Sequence, residues 1–497
     1  MDTKRSSSRG RLLGGMVVLM LAGCMTPGPA IPKREILPMP APETASPSVT
    51  WPASRWWSDW GPPELSGLID RALAGSPSMA IVQARLDQAR FAVASASAAG
   101  SPRLNLGADL LDTRFSENGL VPASLAGRTV WSSSVLFNGS WELDLFDRQR
   151  HLVDAAVGEL RASQADAQAA QVLLATQVAA SYVGLARLIE LRALSTQSVS
   201  QFDQALALVS QRVAAGLDTQ VEQRQAQTAA AQARAEQLAV DELILRQRHA
   251  LAELTGQRPD ALDALTPALF SVTGLGLPDE LPADLVGRRA DLVAQRWRVE
   301  SALSGIEVKR SDFYPSVNLI GFVGLSSLGL DRLIDLGSRT HGVGPAFRLP
   351  IFDGGALQSR LSASEAGANA AIEAYNATLL KALREVRDEV VSIRSIHDQS
   401  RAQSDALKAA QAAQSLAIER YRAGLGNYLT VLTVQNALIT QQRAMTELRA
   451  RALSSELMLV RALGGGFQEE PESRPRAQAA QAAALGLASS SPKAPMR

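Results

Sequence analysis

The sequence predicts an α+β fold in which one unit of strands and long helices is copied twice in tandem. Three features of its 497 residues support this prediction. Matching segments recur at a spacing of roughly 210 residues, in three separate pairs. Two proline-free runs, 148–212 and 357–422, place apolar residues at the spacing of a coiled-coil seam. Alternating apolar and polar residues precede each run, as in strands with one apolar face.

The composition favours closely packed helices and gives no indication of a nucleic-acid partner. Lys and Arg total 50 against 49 Asp and Glu, so the formal net charge is +1. A near-neutral chain offers no basic surface for a phosphate backbone. Aromatic residues make up only 5% of the chain, while Ala, Gln, Arg and Leu fill long stretches. That composition favours long helices lying side by side over a thick globular core.

The N-terminus has the pattern of a lipoprotein export signal. A basic start and the short apolar run Leu12–Leu21 predict a signal peptide over residues 1–23, because about ten apolar residues cannot span a bilayer. The run ends in LAGC, and Cys24 is the only cysteine in the chain. We predict that Cys24 carries a diacylglycerol lipid, and Met25 after it favours sorting to the outer membrane. The alternative is a simple secretory peptide with an incidental cysteine.

Two segments outside the duplicated unit are predicted to lack regular structure. Residues 24–54 are rich in Pro, Ala and Ser and predict a lipid-anchored N-terminal tether. Residues 468–497 predict a disordered tail. No stretch beyond the signal peptide has 18 consecutive apolar residues, so we expect no transmembrane helix. Any crossing of a membrane would then be made by strands.

Each copy of the unit has the same predicted elements in the same order: a helix, two strands, a long helix, a tight turn and a second long helix. We assign structural repeat 1 to residues 55–262 and structural repeat 2 to residues 275–465. The matching positions are Pro102 with Pro315, Asp147 with Asp353 and Gly216 with Gly424. The predicted strands are 103–115, 129–146, 316–327 and 341–352, and the predicted long helices are 148–212, 219–256, 357–422 and 427–464.

Four strands per chain would leave two open sheet edges, whose backbone groups would be unpaired in a membrane. Two copies would close an eight-stranded barrel filled by its own side chains, whereas three copies supply twelve strands and room for a lumen. The long helices would reach roughly 95–100 Å, and twelve helix segments would form a hollow cylinder. The sequence therefore predicts an α+β membrane channel: a trimeric 12-stranded transmembrane β-barrel with four strands per chain, continued by a 12-helix α-barrel.

Several segments resemble the recurrent motifs of one family. GSWELDLFDRQR, FYPSVNLIG, VGPAFRLPIFDGG and ERYRAGLGNYLTVLTVQNALITQQR are similar to motifs of the TolC/OprM/NodT-type outer-membrane efflux lipoproteins, the outer membrane factor family. The resemblance covers residues 56–465, and the motifs occur in the family order. It implies a homotrimer, lipid-anchored in the cell outer membrane and extending into the periplasm. It also implies an equatorial domain around the periplasmic α-barrel.

The same resemblance implies a function. It is that of the outer-membrane channel of a tripartite efflux pump, which passively conducts small molecules or drugs to the exterior. The implied partners are a periplasmic adaptor (a membrane fusion protein) and an inner-membrane transporter of the resistance-nodulation-division class. A type I protein-secretion duct with the same fold remains an alternative, as does a periplasmic adaptor or structural coiled-coil lipoprotein. The lipidation motif favours small-molecule efflux, and two hairpins each preceded by strands favour a channel over an adaptor.

No catalytic or metal-binding pattern is evident in the sequence. The single cysteine is assigned to lipidation, and there is no GxSxG elbow and no Walker loop. The histidines are isolated and have no HExxH or similar ligand spacing; they are His151, His249, His341 and His397. We therefore predict that the chain is not an enzyme and that it holds no cofactor and no metal.

The resemblance assigns adaptor docking to the tight turns between the long helices. These turns lie farthest from the strands, and in each of them glycine can take the left-handed conformation that ends a helix. A purely structural capping role is the alternative for the same residues. The predicted adaptor-docking tips are Ala215, Gly216, Leu217, Ala423, Gly424 and Leu425.

The helix starts just beyond the tips are predicted to form the periplasmic gate. The family often carries acidic residues there, but the matching positions of the second copy are Thr430 and Thr433, which leaves an acidic ring open. Glu222 is the expected charged contributor, inter-helix hydrogen bonds are expected to hold the gate, and Asp218 is expected to serve as a helix N-cap. The predicted gate residues are Glu222, Gln225, Leu429, Thr430 and Thr433.

Three other motifs are assigned structural roles. The aromatic phrase WWSDWG, Trp56–Gly61, is expected to pin the N-terminal segment against the α-barrel. Residues 288–291 read RRAD where the family has RRPD, and we expect the lost proline to affect only a helix start. Aromatic residues of the strands are expected to contribute to interfacial girdles; they are Phe115, Trp131, Trp141 and Phe347.

Overall fold

The structure, a computed structural model, describes residues 27–38, 54–271 and 288–467. The predicted signal peptide, Cys24 and the predicted tail 468–497 lie outside the described residues. Within them the chain is mostly helical and carries one antiparallel sheet. The predicted tether is described only in part.

The elements follow the order predicted for a duplicated unit. A single helical turn, Trp57–Trp60, precedes the first copy. The first copy comprises α1 (Pro63–Gly75), α2 (Pro77–Ala99), β1 (Arg103–Arg114), β2 (Thr129–Leu143), α3 (Arg148–Ala214) and α4 (Gln220–Leu254). The second comprises α5 (Ala290–Ser311), β3 (Ser316–Leu328), β4 (Arg339–Arg348), α6 (Ala356–Arg422) and α7 (Tyr428–Ala462).

The four strands form one antiparallel sheet in the order β1-β2-β3-β4. The strands of the two copies meet at β2 and β3, where Ser132 is opposite Leu328 and Leu143 is opposite Val317. Strands β1 and β4 are the two edges, and each pairs with a single neighbour within the described chain. The sheet has large exposed apolar side chains, among them Trp131, Phe137 and Phe347. A sheet of this kind has two edges available for pairing and an apolar surface to cover.

Two predicted strand ends are corrected by the structure. The strand predicted over 129–146 ends at Leu143, because the carboxylate of Asp144 accepts hydrogen bonds from the backbone N–H groups of Gln149 and Arg150 at 3.0 Å. The strand predicted over 341–352 is β4, which ends at Arg348. The Asp353 carboxylate then accepts from the N–H groups of Gly355 and Leu357 at 2.9 and 2.6 Å, which turns the chain into α6.

The long helices form two hairpins, α3 with α4 and α6 with α7, and the repeats pack through α3 against α5 and α7. The main apolar core lies where α1, α3 and α7 meet. Trp56, Trp57 and Trp60 are buried in this core, and the indole N–H of Trp57 donates to Asp70 at 3.1 Å. The aromatic motif therefore has the packing role that the sequence predicts.

One helix meets a composition test for a membrane span, although the sequence predicts no transmembrane helix. Among the described residues, α3 contains an 18-residue window with a mean hydropathy of 1.6, which satisfies a composition test for a membrane span. However, 56% of that window is buried inside the chain. A core helix of a soluble domain satisfies the same test, and the buried share indicates that α3 is such a core helix.

The RRAD motif does more than begin a helix. Arg289, the N-cap residue of α5, is 6% exposed. Its guanidinium pairs with Asp291 at 2.8 Å and with Glu385 of α6 at 2.9 Å, and it donates to the carbonyl of Ala462 at 3.1 Å. Burial opposes the charge on Arg289, but the two carboxylates outweigh it and raise its pKa. This arginine joins the start of α5, the middle of α6 and the end of α7.

Replacing Arg289 is expected to be among the most destabilising single changes in the helical region. In Arg289→Met, the partly exposed carboxylates of Asp291 and Glu385 would lose their shared guanidinium, while Lys381 would remain beside Glu385, at 3.9 Å. We expect a loss of about 3 kcal/mol, at the lower end of the range for a broken buried ion pair, because solvent screens both carboxylates in part. Thermal unfolding of the purified protein in detergent should show this as a lower midpoint. The control is Arg387→Met on the exposed face of α6, which should unfold near the wild-type temperature. Equal midpoints for the two variants would contradict a structural role for Arg289.

Candidate functional site

The ends of α3 and α6 have the same backbone geometry. At the first tip, Gly216 N–H donates to Val213 O at 3.0 Å and Leu217 N–H donates to Arg212 O at 2.9 Å. At the second tip, Gly424 N–H donates to Tyr421 O at 3.0 Å and Leu425 N–H to Arg420 O at 2.8 Å. These bonds satisfy carbonyl groups that a helix end otherwise leaves unpaired. Both tips therefore form the glycine-capped turns that the sequence predicts.

Each tip requires glycine for its backbone conformation and not for space. Gly216 has φ +71° and Gly424 has φ +75°, in the region that side-chain-bearing residues rarely adopt. A Cβ at either glycine would meet no atom within 4 Å. The next residues, Leu217 and Leu425, are 65% and 71% exposed. The tips thus present exposed apolar side chains next to hydrogen-bonded turns.

The helices that return from the tips begin with side-chain caps. Thr219 is the N-cap of α4: its hydroxyl accepts from Val221 N–H at 3.1 Å, and Glu222 accepts from the Thr219 N–H at 2.9 Å. Asn427 caps α7 by accepting from Thr430 N–H at 2.9 Å. The prediction that Asp218 is an N-cap is therefore wrong, because the cap falls one residue later and the Asp218 carboxylate points to other partners.

Asp218 joins the two hairpins. Its carboxylate accepts from the Arg212 guanidinium at 2.9 Å and from the hydroxyl of Tyr421, on the other hairpin, at 2.5 Å. The Arg212 guanidinium also lies 4.7 Å from the centre of the Tyr421 ring. Tyr421 and Tyr428 are each 2% exposed and their ring centres lie 6.2 Å apart. We call Arg212, Asp218 and Tyr421 the tip clasp.

The tip clasp perturbs the ionisation of its members. Burial opposes the charge on Asp218, but hydrogen bonds from Arg212 and Tyr421 outweigh it and lower the pKa of this carboxyl. Burial and the hydrogen bond to Asp218 raise the pKa of the Tyr421 hydroxyl. Asp218 is therefore an anion and Tyr421 a neutral donor throughout the neutral range. A charge-assisted hydrogen bond of this kind is stronger than one between neutral groups.

The predicted gate residues lie at the starts of α4 and α7, close in sequence to the tip clasp. The side chains of Leu429, Thr430 and Thr433 are exposed on the first turns of α7. The Thr430 hydroxyl donates to the Asn427 side chain and the Thr433 hydroxyl donates to the Leu429 carbonyl, both at 2.8 Å. Among the described residues, neither threonine side chain has a hydrogen bond to another helix. At this level Tyr421 donates to Asp218 across the two hairpins, and Gln223 of α4 donates to Ser210 of α3 at 3.3 Å.

The two predicted gate residues of α4 differ in their surroundings. A hydrogen bond from Thr219 lowers the pKa of Glu222, so this carboxylate is ionised while it caps the helix. Gln225 lines a groove of about 800 Å³ that also includes Phe202, Arg224 and Leu432. An ion pair between Arg443 and Glu236 at 2.5 Å joins α4 and α7 beside this groove.

The described residues contain no group of three or more His, Cys, Asp or Glu side chains that could hold a metal ion. The tips and helix starts instead present apolar side chains, caps and one charged clasp. The exposed apolar side chains can contact another surface, and the tip clasp can hold the two hairpins together.

The comparisons with known proteins identify the family. The model of the family described as "Outer membrane efflux protein" matches residues 68–257 and 281–465, which is most of the chain in two blocks. The chain belongs to the outer membrane efflux protein family. The two blocks fall within the two structural repeats assigned from the sequence.

Curated relatives of the chain are resistance proteins. The multidrug resistance outer membrane protein MdtP of Escherichia coli strain K12 is 29% identical over 436 residues, covering 85% of this chain and 88% of MdtP. The fusaric acid resistance protein FusA of Burkholderia cepacia is 32% identical over 361 residues, covering 71% of this chain and 68% of FusA.

A solved structure shares the fold over nearly the whole of its chain. The outer membrane protein VceC of Vibrio cholerae matches with a TM-score of 0.78 and 35% sequence identity, covering 84% of this chain and 100% of that chain. The predicted fold class, a channel with four strands per chain continued by a helical barrel, is confirmed. The predicted function as an outer-membrane efflux channel is confirmed as well.

Sequence reasoning missed two features of the site. The tip clasp links residues that are far apart in sequence, and only the spacing of the tips hints at it. The second feature is a row of polar side chains on α6, Gln358, Glu365, Asn369 and Asn376, that binds the described part of the N-terminal tether. Their spacing of 7, 4 and 7 residues places all four on one helix face, a signal that the sequence carries.

Proposed function

We propose that three copies of this chain form one closed outer-membrane channel of a tripartite efflux pump. The observation that carries the proposal is the four-stranded sheet with two open edges, β1 and β4. Pairing β4 of one copy with β1 of the next satisfies both edges, and twelve strands leave a lumen. The helical hairpins of the same three copies then line a tunnel on the periplasmic side.

The proposed partners are a periplasmic adaptor and an inner-membrane transporter of the resistance-nodulation-division class. Support for adaptor docking comes from the exposed leucines on the two tips and from the groove at the start of α4, which both polar and apolar side chains line, as contact with an amphipathic helix requires. The proposed cargo is small molecules, in line with the names of MdtP and FusA. Conduction is passive, because the channel supplies a path and the transporter supplies the energy.

The proposed periplasmic gate combines the predicted residues with the tip clasp. Leu429, Thr430 and Thr433 supply an exposed face at the start of α7, and Glu222 and Gln225 supply polar groups at the start of α4. The tip clasp holds one hairpin against the other through Asp218 and Tyr421. Opening the tunnel requires the hairpins to move apart, so breaking the tip clasp favours the open state.

Lipid attachment at Cys24 is part of the same proposal. It rests on the LAGC motif and on the absence of any other cysteine from the sequence. A diacylglycerol chain at this position holds the N-terminus in the inner leaflet of the outer membrane, with the helices in the periplasm.

The purified full-length protein is expected to insert into planar lipid bilayers as a trimer with small, mostly closed pores. Single-channel recording measures the conductance, and analytical ultracentrifugation in detergent measures the number of chains. The expected result follows from edge pairing among three copies and from a closed tip clasp. A stable monomer with no conductance at any voltage would show that the sheet edges are satisfied in another way.

A further inference from the structure

Residues 28–37 of the N-terminal tether are bound along one face of α6, and we call them the strap. Four strap N–H groups, one every three residues, donate to side chains of α6. Gly28 donates to Gln358 at 2.6 Å, Ile31 to Glu365 at 2.9 Å, Arg34 to Asn369 at 2.8 Å and Leu37 to Asn376 at 2.9 Å.

The two asparagines also donate back to the strap. Asn369 donates to the Pro32 carbonyl at 3.1 Å, and Asn376 donates to the Glu35 carbonyl at 3.0 Å. Each asparagine amide therefore pairs with both a donor and an acceptor of the strap backbone. This is the pattern by which a side chain recognises an extended peptide without reading its side chains.

Two of the α6 side chains in this contact are buried with the strap in place. Glu365 is 5% exposed and Asn376 is 6% exposed, although the strap that they hold lies at the surface. A buried carboxylate or amide without a partner would be costly, so these side chains need the strap backbone. Gly28 is also closely fitted, because a Cβ there would lie 3.1 Å from the Gln358 side chain.

The lengths of the strap and of the binding face agree. From Gln358 to Asn376 the helix rises about 27 Å. From Gly28 to Leu37 an extended polyproline-like chain spans about 28 Å. The segment contains Pro29 and Pro32, and Pro38 follows it directly; these prolines favour that extended form. One strap N–H therefore falls opposite each of the four side chains in turn.

We propose that this face of α6 is a binding site for an extended peptide backbone, and that the strap is its built-in ligand. Its role is to fix the N-terminus at the end of α6 that follows the sheet. Cys24 precedes Gly28 by four residues, which span at most about 14 Å. This role rests on the lipid anchor proposed for Cys24, whereas the binding site itself does not. Bound in this way, the strap sets the position of the lipid relative to the strands.

Trypsin cleaves after Lys33 and Arg34, so the rate of cleavage within the strap measures how firmly the strap is bound. The test uses the full-length trimer in detergent. The double variant Asn369→Ala with Asn376→Ala removes four of the six hydrogen bonds, and cleavage in the strap is expected to become at least about tenfold faster. The control Gln411→Ala, at an exposed position of the same helix, should be cleaved at the wild-type rate.

A second variant tests the site from the strap side and cannot unfold α6. Ile31→Pro with Leu37→Pro removes two N–H donors but keeps the extended backbone, so it should also speed cleavage. Wild-type cleavage rates in both double variants would overturn the proposal. The mass of the released N-terminal fragment reports lipidation at Cys24, and single-channel conductance reports the channel. A result that contradicts strap binding to α6 can therefore be distinguished from a result that contradicts the proposed lipidation or channel function.

Discussion

Gly424→Asp is expected to abolish efflux while leaving the trimer intact. The substitution puts a carboxylate on the exposed turn next to Leu425, where the adaptor is proposed to dock. Desolvating an unpaired charge in a contact surface costs about 2 kcal/mol or more, which corresponds to roughly thirtyfold weaker binding. The tip lies at the end of the helices remote from the sheet, so strand pairing should be unaffected. Drug susceptibility of cells carrying the complete pump measures the effect.

The matched control for this variant is Gly424→Asn. Asparagine and aspartate have the same shape, and both tolerate the left-handed backbone at φ +75°. The backbone strain at residue 424 should therefore be similar in the two variants. Any difference between them reports the charge. We expect near wild-type resistance with asparagine and loss of resistance with aspartate. Normal efflux in the aspartate variant would remove the docking role from this tip.

Asp218→Asn is expected to raise the conductance of the resting channel several-fold. The substitution leaves Arg212 without its carboxylate partner and weakens the bond to Tyr421, so the two hairpins are held less tightly. Planar-bilayer recording of the open fraction measures the change. Asp203→Asn is the control, because Asp203 pairs with Arg234 within one hairpin at an exposed position. An open fraction that is the same in both variants would show that the tip clasp does not hold the gate.

The pKa shift of Asp218 predicts how the wild-type gate depends on pH. Because folding lowers this pKa, the carboxylate stabilises the clasped state above the unfolded value of about 3.9. This contribution is lost as the pH falls through the lowered folded value. The closed state should therefore persist from neutral pH down to about pH 4 and weaken only below it. In Asp218→Asn this acid-induced opening should be much reduced.

Much of the fold could be predicted because it depends on local patterns. Strand alternation, proline-free helical runs and the AGL turns are each visible within one continuous stretch of sequence. Each pattern also occurs in both copies of the unit, so the second copy supports the prediction made from the first. Prediction failed where a hydrogen-bonding partner that is distant in sequence, or that competes with the expected one, determines where an element ends or what a side chain contacts. The carboxylate of Asp144 ends β2 early by capping α3, and Thr219 takes the N-cap that Asp218 was expected to form. Arg289, assigned to a helix start, is a buried link among three helices.

The sequence by itself determined the duplicated architecture, the family and the positions of the tips, because hydrophobic period and glycine placement act over neighbouring residues. Only the tertiary structure showed that Asp218 reaches Tyr421 across two hairpins and that α6 binds the strap. These contacts join residues separated by 203 and by 330 to 341 positions in the chain. Hydrogen-bonding partners at such separations are chosen by how the helices pack, and a linear pattern does not encode that choice.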